Sequence, residues 1–68
     1  MKLIQTTRRP NTAMIHVFKE HLEYNKDSGF SWSVTKCGTE LMNPVLEVEA
    51  KSAEEQPERK CLKCFSGT

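Results

Sequence analysis

Apolar and polar residues alternate most regularly at Phe30–Lys36, where Ser31, Ser33 and Thr35 separate Phe30, Trp32 and Val34. A period of two predicts a half-buried strand, here with an aromatic face turned to the core. Upstream, Ala13–Lys19 is apolar on both parities. A strand is favoured there, because Ile15, Val17 and Phe18 are better strand than helix formers; Ile15, Phe18 and Leu22 also fit a helical stripe running on to Tyr24. Asn25-Lys26-Asp27-Ser28-Gly29 has turn composition, so the two segments read as a β-hairpin. Met1–Arg9 tolerates a strand and ends at the breaker Arg9-Pro10-Asn11. After Asn43-Pro44, Val45–Glu49 alternates again and predicts a short third strand. Ala50–Glu58 is polar and acidic and runs into Pro57, which predicts a mobile loop.

Length then tightens the picture. The chain has 68 residues, which is one domain, 1–68, and such a domain buries only about 60% of its unfolded surface. The apolar share of 37% leaves a small expected core: Leu3, Ile4, Met14, Ile15, Val17, Phe18, Leu22, Phe30, Trp32, Val34, Leu41, Val45, Leu46 and Val48. Domains of this size usually depend on disulfides, a metal or a partner. No apolar stretch approaches the roughly 18 residues of a membrane-spanning helix, and Leu3-Ile4 is too short for the apolar part of a secretory leader. A cytoplasmic, reducing location is therefore expected, where thiols stay available to metal.

The cysteines supply the staple. Three thiols cannot all pair as disulfides. Cys61 and Cys64 form a C-x-x-C turn that lets two sulfurs converge on one ion. Cys37-Gly38 resembles half of a second such knuckle, the glycine permitting the close turn that aims N–H groups at sulfur. Three cysteines and a histidine make a tetrahedral zinc set, and both His16 and His21 can supply the nitrogen. The hairpin favours His16, since it carries that residue toward the strand ending at Cys37. Two alternatives compete with Zn²⁺. A C-x-x-C can be a redox pair, but thioredoxin-like chemistry needs a βαβ context this chain is too short to hold. Cysteines can also be small buried hydrophobes.

No catalytic residues are assigned. His21-Leu22-Glu23 reads H-x-E and a C-x-x-C follows, yet no proline precedes Cys61, and zinc deaminases need a far larger sheet to hold a base. The net charge of +1 is not the strongly basic balance of a nucleic-acid binder. Trp32 and Phe30, with Lys36, Arg8 and Arg9, offer a stacking platform for single strands, against which stands their ordinary use as core. Glu47, Glu49, Glu54, Glu55 and Glu58 form either a solvated run or a surface that steers a basic partner.

Taken in order, Ile15-His16-Val17, Thr35-Lys36-Cys37-Gly38 and Arg59-Lys60-Cys61-Leu62-Lys63-Cys64 resemble small zinc-finger-like proteins common in phages and bacteria. The resemblance implies zinc held by His16, Cys37, Cys61 and Cys64. It also implies a phage-encoded factor working in the host cytoplasm, and it brings no single established activity with it. The expected object is a small zinc-stabilised β-rich domain: a β-hairpin, a short third strand and two zinc knuckles, with room for a minor helix. The expected function is non-enzymatic binding to a host protein that it modulates or inhibits, with a nucleic-acid-binding zinc finger as the alternative and no membrane association.

Overall fold

The structure, a computed structural model, describes residues 1–23, 27 and 29–66. Asn25, Lys26 and Ser28 of the expected turn, and Tyr24, lie outside the described residues. Among the described residues the chain forms strands β1 (Leu3–Thr6), β2 (His16–Leu22), β3 (Trp32–Thr35), β4 (Glu40–Met42) and β5 (Val45–Val48). Helix α1 (Ala50–Glu55), a 3₁₀ turn (Pro57–Arg59) and helix α2 (Leu62–Phe65) follow. All strand pairs are antiparallel in the order β4-β3-β2-β1-β5. The expected hairpin is the β2–β3 pair, with Leu22 opposite Trp32 and Phe18 opposite Thr35. The helical reading of Ile15–Tyr24 gives way to a strand, as the β-branched and aromatic content favours.

Register sorts the side chains into two faces. Ile4 shares one face with Ser33, Thr35 and Leu41, and all four are buried. This face is the inside of a curl, because β1 touches β4 although two strands separate them in the sheet. The other face has two halves. Over β1, β2 and β5 it carries Leu3, Val17 and Val48, which join Ile15, Ala53 of α1 and Phe65 of α2 in the hydrophobic core. Over β2, β3 and β4 it carries Glu20, Leu22, Trp32, Val34, Glu40 and Met42.

The curl explains where expectation and structure part. Phe30 stands outside β3 and is 61% exposed, and Trp32 and Val34 are only half-buried. The polar parity of the strand, Ser33 and Thr35, is the buried one. Both hydroxyls have partners: Ser33 Oγ donates to Asn43 Oδ1 at 2.7 Å, and Thr35 Oγ1 accepts from the Thr39 N–H at 3.1 Å. A satisfied hydroxyl can be buried at little cost. Met14 and Leu46 are exposed, while Ala53 and Cys64 join the buried set. The expected loop at Ala50–Glu58 is instead α1 and the 3₁₀ turn. Ala50-Lys51-Ser52-Ala53-Glu54-Glu55 consists largely of strong helix formers, and Ala53 buries one side of the turn against Leu3 and Ile15. Pro57 opens the 3₁₀ turn, where its missing N–H has no partner to lose. Strand β4 was not expected: Glu40–Met42 is too short to show a period.

The last ten described residues are fastened to the sheet from both sides of Lys60. Lys60 bridges Ile15 in parallel, with the Ile15 N–H donating to Arg59 O at 2.7 Å and the Cys61 N–H to Ile15 O at 2.9 Å. On one side of this bridge Arg59 is buried. Its guanidinium donates to Ala13 O at 3.0 Å, Gln56 Oε1 at 2.8 Å, Pro10 O at 3.0 Å and Gln5 Oε1. On the other side are Cys61 and Cys64.

Candidate metal centre

Three segments distant in sequence converge where β3 ends beside the start of β2. Position His16 opens β2. The Lys36 N–H donates to Val17 O at 2.8 Å, which holds the end of β3 and the following turn against β2. That turn runs from Thr35 to Thr39: the Gly38 N–H donates to Thr35 O at 2.9 Å, and the Thr35 N–H to Thr39 O at 2.9 Å. Gly38 takes φ +94° there, a conformation that glycine adopts without strain, and Cys37 is thereby aimed at the cluster. Cys61 caps α2, and the Cys64 and Phe65 N–H groups both donate back to Cys61 O, at 3.1 and 3.0 Å. This tight turn brings Cys64 round beside Cys61.

The ligand atoms of His16, Cys37, Cys61 and Cys64 all lie within 4.8 Å of one another. His16 Nδ1 is 3.7 Å from both Cys37 Sγ and Cys64 Sγ, and Cys61 Sγ is 3.8 Å from Cys37 Sγ. A tetrahedral zinc ion with bonds of about 2.3 Å to sulfur and about 2.0–2.1 Å to nitrogen puts sulfurs about 3.8 Å apart and nitrogen about 3.5 Å from sulfur. The observed separations match the edges of that tetrahedron. They are far longer than the roughly 2.05 Å of a disulfide, and all three cysteines are free.

Electrostatics within the cluster is uneven. The Thr35 hydroxyl at 3.1 Å, then the Thr39 hydroxyl at 3.3 Å, stabilise the Cys37 thiolate, with the Thr39 N–H adding to them. Against a smaller opposing effect of burial, these bonds lower its pKa from 9.0 to about 5. Burial pushes the Cys61 thiol up, although the Cys64 N–H reaches its sulfur. The Cys61 S–H donates toward Cys37 Sγ. Each of the two turns thus supplies one backbone N–H to one sulfur, Thr39 to Cys37 and Cys64 to Cys61. Lys60 and Lys63 flank Cys61 in sequence, and Lys60 Nζ lies 5.3 Å from the centre of the Phe65 ring.

His21, the other histidine considered for the site, stands elsewhere. It lies opposite Ser33 well along β2, its side chain is 53% exposed, and Nε2 is 3.5 Å from Glu23 Oε1. The His21-Leu22-Glu23 order therefore makes a surface pair apart from the thiols. Neither Thr39 nor Arg59 was singled out from the sequence. Thr39, beside Cys37-Gly38, was open to a reading as a donor to sulfur; an arginine next to a C-x-x-C carries no signal of burial.

The four residues make a closed donor set. Three sulfurs and an imidazole suit Zn²⁺ by ligand softness and number, and such a set leaves no position for water. Comparison with protein-family models, curated proteins and solved structures finds no match, so the chain is assigned to no family.

Proposed function

We propose that this chain is a non-enzymatic binding module stapled by one structural Zn²⁺ on His16 Nδ1 and the sulfurs of Cys37, Cys61 and Cys64. The observation that carries the reading is the convergence of these donors, from opposite ends of the chain, at the separations of a zinc tetrahedron. When bound, the ion neutralises the thiolates and cross-links β2, the Cys37 turn and α2. The residues around it do the positioning: Thr35 and Thr39 hold Cys37 as a thiolate, the Cys61–Cys64 turn sets the second sulfur pair, and the Ile15–Lys60 bridge aligns both with His16. A closed set belongs to the structural kind of zinc site, which contributes folding free energy and no chemistry.

The work of such a module is recognition, and the partner supported best is another protein. Glu20 and Glu40 share the sheet face of Trp32, which speaks against phosphate along that face. The metal half of the proposal is tested by native mass spectrometry of protein purified without chelator. The expected mass includes about one zinc per chain, and Co²⁺ substitution should give the absorption of a tetrahedral thiolate site. Well-folded protein that retains no metal overturns it. The recognition half is tested by capture on immobilised zinc-loaded protein; recovery of nucleic acid in place of protein overturns it.

A further inference from the structure

The three sulfurs of the cluster are not equivalent. Cys37 and Cys61 are half-buried, whereas Cys64 is 1% exposed. Cys61 Sγ stands 3.8 Å from Cys37 Sγ and its S–H points there. The Cys64 sulfur is instead 3.7 Å from His16 Nδ1. Cys37 meets the Thr39 hydroxyl at 3.3 Å on the exposed side of its turn. A reactant arriving from solvent therefore reaches Cys37 or Cys61 before Cys64, and whichever of the two it modifies already has the other as a neighbour. Oxidation of cysteine follows thiolate character and exposure, and it stops at a disulfide where a second thiol lies within reach.

The same two sulfurs join separate parts of the fold. Cys37 lies in the turn between β3 and β4, and Cys61 caps α2, a separation of 24 residues. A bond between them would tie the end of β3 to the C-terminal segment, two of the parts that the metal would join. A Cys61–Cys64 bond would close only the C-x-x-C turn on itself, and a short loop constrains the unfolded chain less than a long one. The backbone holds the longer-range pair in place without help from the sulfurs. The Lys36 N–H donates to Val17 O at 2.8 Å, and the Cys61 N–H donates to Ile15 O at 2.9 Å, so both turns are pinned to neighbouring positions at the start of β2.

From this geometry we infer that the centre is a redox switch with two interchangeable staples: a hydroperoxide converts the zinc site into a Cys37–Cys61 disulfide, which releases the ion and frees His16 and Cys64. The inference rests on the zinc reading above and names the regulation of that site. In the first step the Cys37 thiolate attacks one peroxide oxygen. An S–O bond forms, the O–O bond breaks and hydroxide leaves, which gives Cys37 sulfenic acid. In the second step the Cys61 thiolate attacks the Cys37 sulfur. The S–S bond forms, the S–O bond breaks and a second hydroxide leaves. The two sulfurs lose two electrons in all, and the peroxide gains them. Water protonates neither product sulfur; the two hydroxides each take up one proton, and Cys64 takes one as the metal departs. One sulfur and one imidazole remain as donors, too few for a closed zinc site. The C-x-x-C pair considered from the sequence as a redox couple is not the pair that forms.

The test uses the zinc-loaded full chain, its metal content measured first, and hydrogen peroxide added up to about one equivalent. A zinc-binding dye reads release, thiol titration reads oxidation, and a tryptic map reads the linkage. Trypsin separates the three cysteines, because Lys36, Lys51, Lys60 and Lys63 place them in the peptides Cys37–Lys51 and Cys61–Lys63 and in the segment that starts at Cys64. Bound zinc should fall from about one per chain to near none, with two thiols lost for each ion released and with Cys37–Lys51 joined to Cys61–Lys63. The oxidised chain should keep its amide dispersion, whereas chelation under reducing conditions should not. A phosphine reductant with added zinc should restore the metal content. A Cys61–Cys64 linkage, a disulfide between chains, or sulfinic acid without a disulfide overturns the inference. So does peroxide consumption without zinc release, or equal dispersion in the oxidised and the chelated chain. A chain that carries no zinc at the outset sinks the metal reading and the switch together; a zinc-loaded chain with the wrong linkage sinks the switch alone.

Discussion

Two anchors hold the C-terminal segment to the sheet, and they do it with opposite chemistry. Arg59 is a buried cation whose acceptors are all neutral: Gln5, Pro10, Ala13 and Gln56. The cluster one bridge away is three thiols and an imidazole. Both join residues far apart in sequence, Arg59 to Gln5 on one side and Cys64 to His16 on the other. Arg59 is always charged, and its acceptors are amides that the folded chain supplies unaided. The thiols have to lose protons before they can ligate a metal, and the resulting thiolates repel one another until a cation arrives. One anchor is therefore fixed by the fold, and the other, under the zinc site proposed above, is conditional on metal and pH.

Removing the conditional anchor should have the larger effect. Apparent zinc-binding free energies in small metal-stabilised folds run to about 10–16 kcal/mol, more than the total stability of about 5–15 kcal/mol typical of a domain. Chelation, or Cys64→Ser, is expected to collapse amide dispersion, beginning with residues 57–66 and the start of β2. Cys64 is 1% exposed and part of the buried set, so the serine also places a hydroxyl in an apolar position. Retained dispersion after verified zinc loss would mean that Arg59 and the core of Leu3, Ile15 and Ala53 suffice without metal.

Breaking the fixed anchor should cost less and leave the fold standing. Arg59→Met removes a donor from Ala13 O, Gln5 Oε1 and Gln56 Oε1, while Pro10 O keeps the Gln5 Nε2 donor at 2.9 Å. Orphaned buried acceptors cost about 1–3 kcal/mol apiece at most, with partial relief from water, which suggests a loss of roughly 2–4 kcal/mol in zinc-loaded protein. Urea unfolding should show a lower midpoint with the zinc content unchanged. A variant that loses zinc as well would show that the two anchors act as one unit, and the double variant with Thr35→Val would measure that coupling.

The site was more legible in the sequence than the fold around it. Ligand chemistry depends on residue type, and the only thiols in the chain, with a histidine on a predicted hairpin, narrowed the choice to His16 or His21. The hairpin itself followed from the alternation at Trp32 and Val34. Which parity faced inward did not, because burial of Ser33 and Thr35 depends on partners, Asn43 and the Cys37 turn, that alternation cannot reveal. Helix α1 was obscured by its acidic residues and by Pro57, which together resemble a loop; its one core contact is Ala53, too small to produce an apolar stripe. Arg59 was hidden because a buried arginine is recognised by its acceptors, and these are spread from Gln5 to Gln56.

A smaller effect separates the ligands within the cluster by pH. The Cys37 pKa is lowered from 9.0 to about 5, so its contribution to stability is fully present above pH 9 and is lost as pH falls toward 5. Cys61 is shifted the other way by burial: the contribution of its thiol form to the fold is fully present below pH 9.0 and is lost as pH rises from there through the raised pKa. Acid should therefore reach Cys61 before Cys37. Thr35→Val deletes the larger of the two hydroxyl effects on Cys37, a hydrogen bond to a charged acceptor worth about 1.5–3 kcal/mol. Spread over about three protons at 1.36 kcal/mol per unit each, that raises the pH midpoint of zinc release by about 0.4–0.7 unit. Thr39→Val should move it the same way and less. An unmoved midpoint would show that the hydroxyls do not govern Cys37.

The smallest expected effect belongs to the second histidine. His16 Nδ1 lies 3.7 Å from two of the sulfurs, whereas His21 faces Glu23 on the surface. An exposed pair of this kind is worth at most about 1 kcal/mol, and only while the imidazole is charged. His21→Ala should therefore leave zinc affinity unchanged at neutral pH and shift stability by less than about 0.5 kcal/mol. His16→Ala in the same titration should lose affinity severely, because a three-sulfur remnant must recruit water or unfold. Cobalt spectra separate these cases: a thiolate set that keeps its nitrogen holds its ligand-field bands, and one that loses it shifts them. If His21→Ala shifts the bands and His16→Ala does not, the start of β2 cannot lie against the Cys37 turn, and the register of β2 with β3 falls with it.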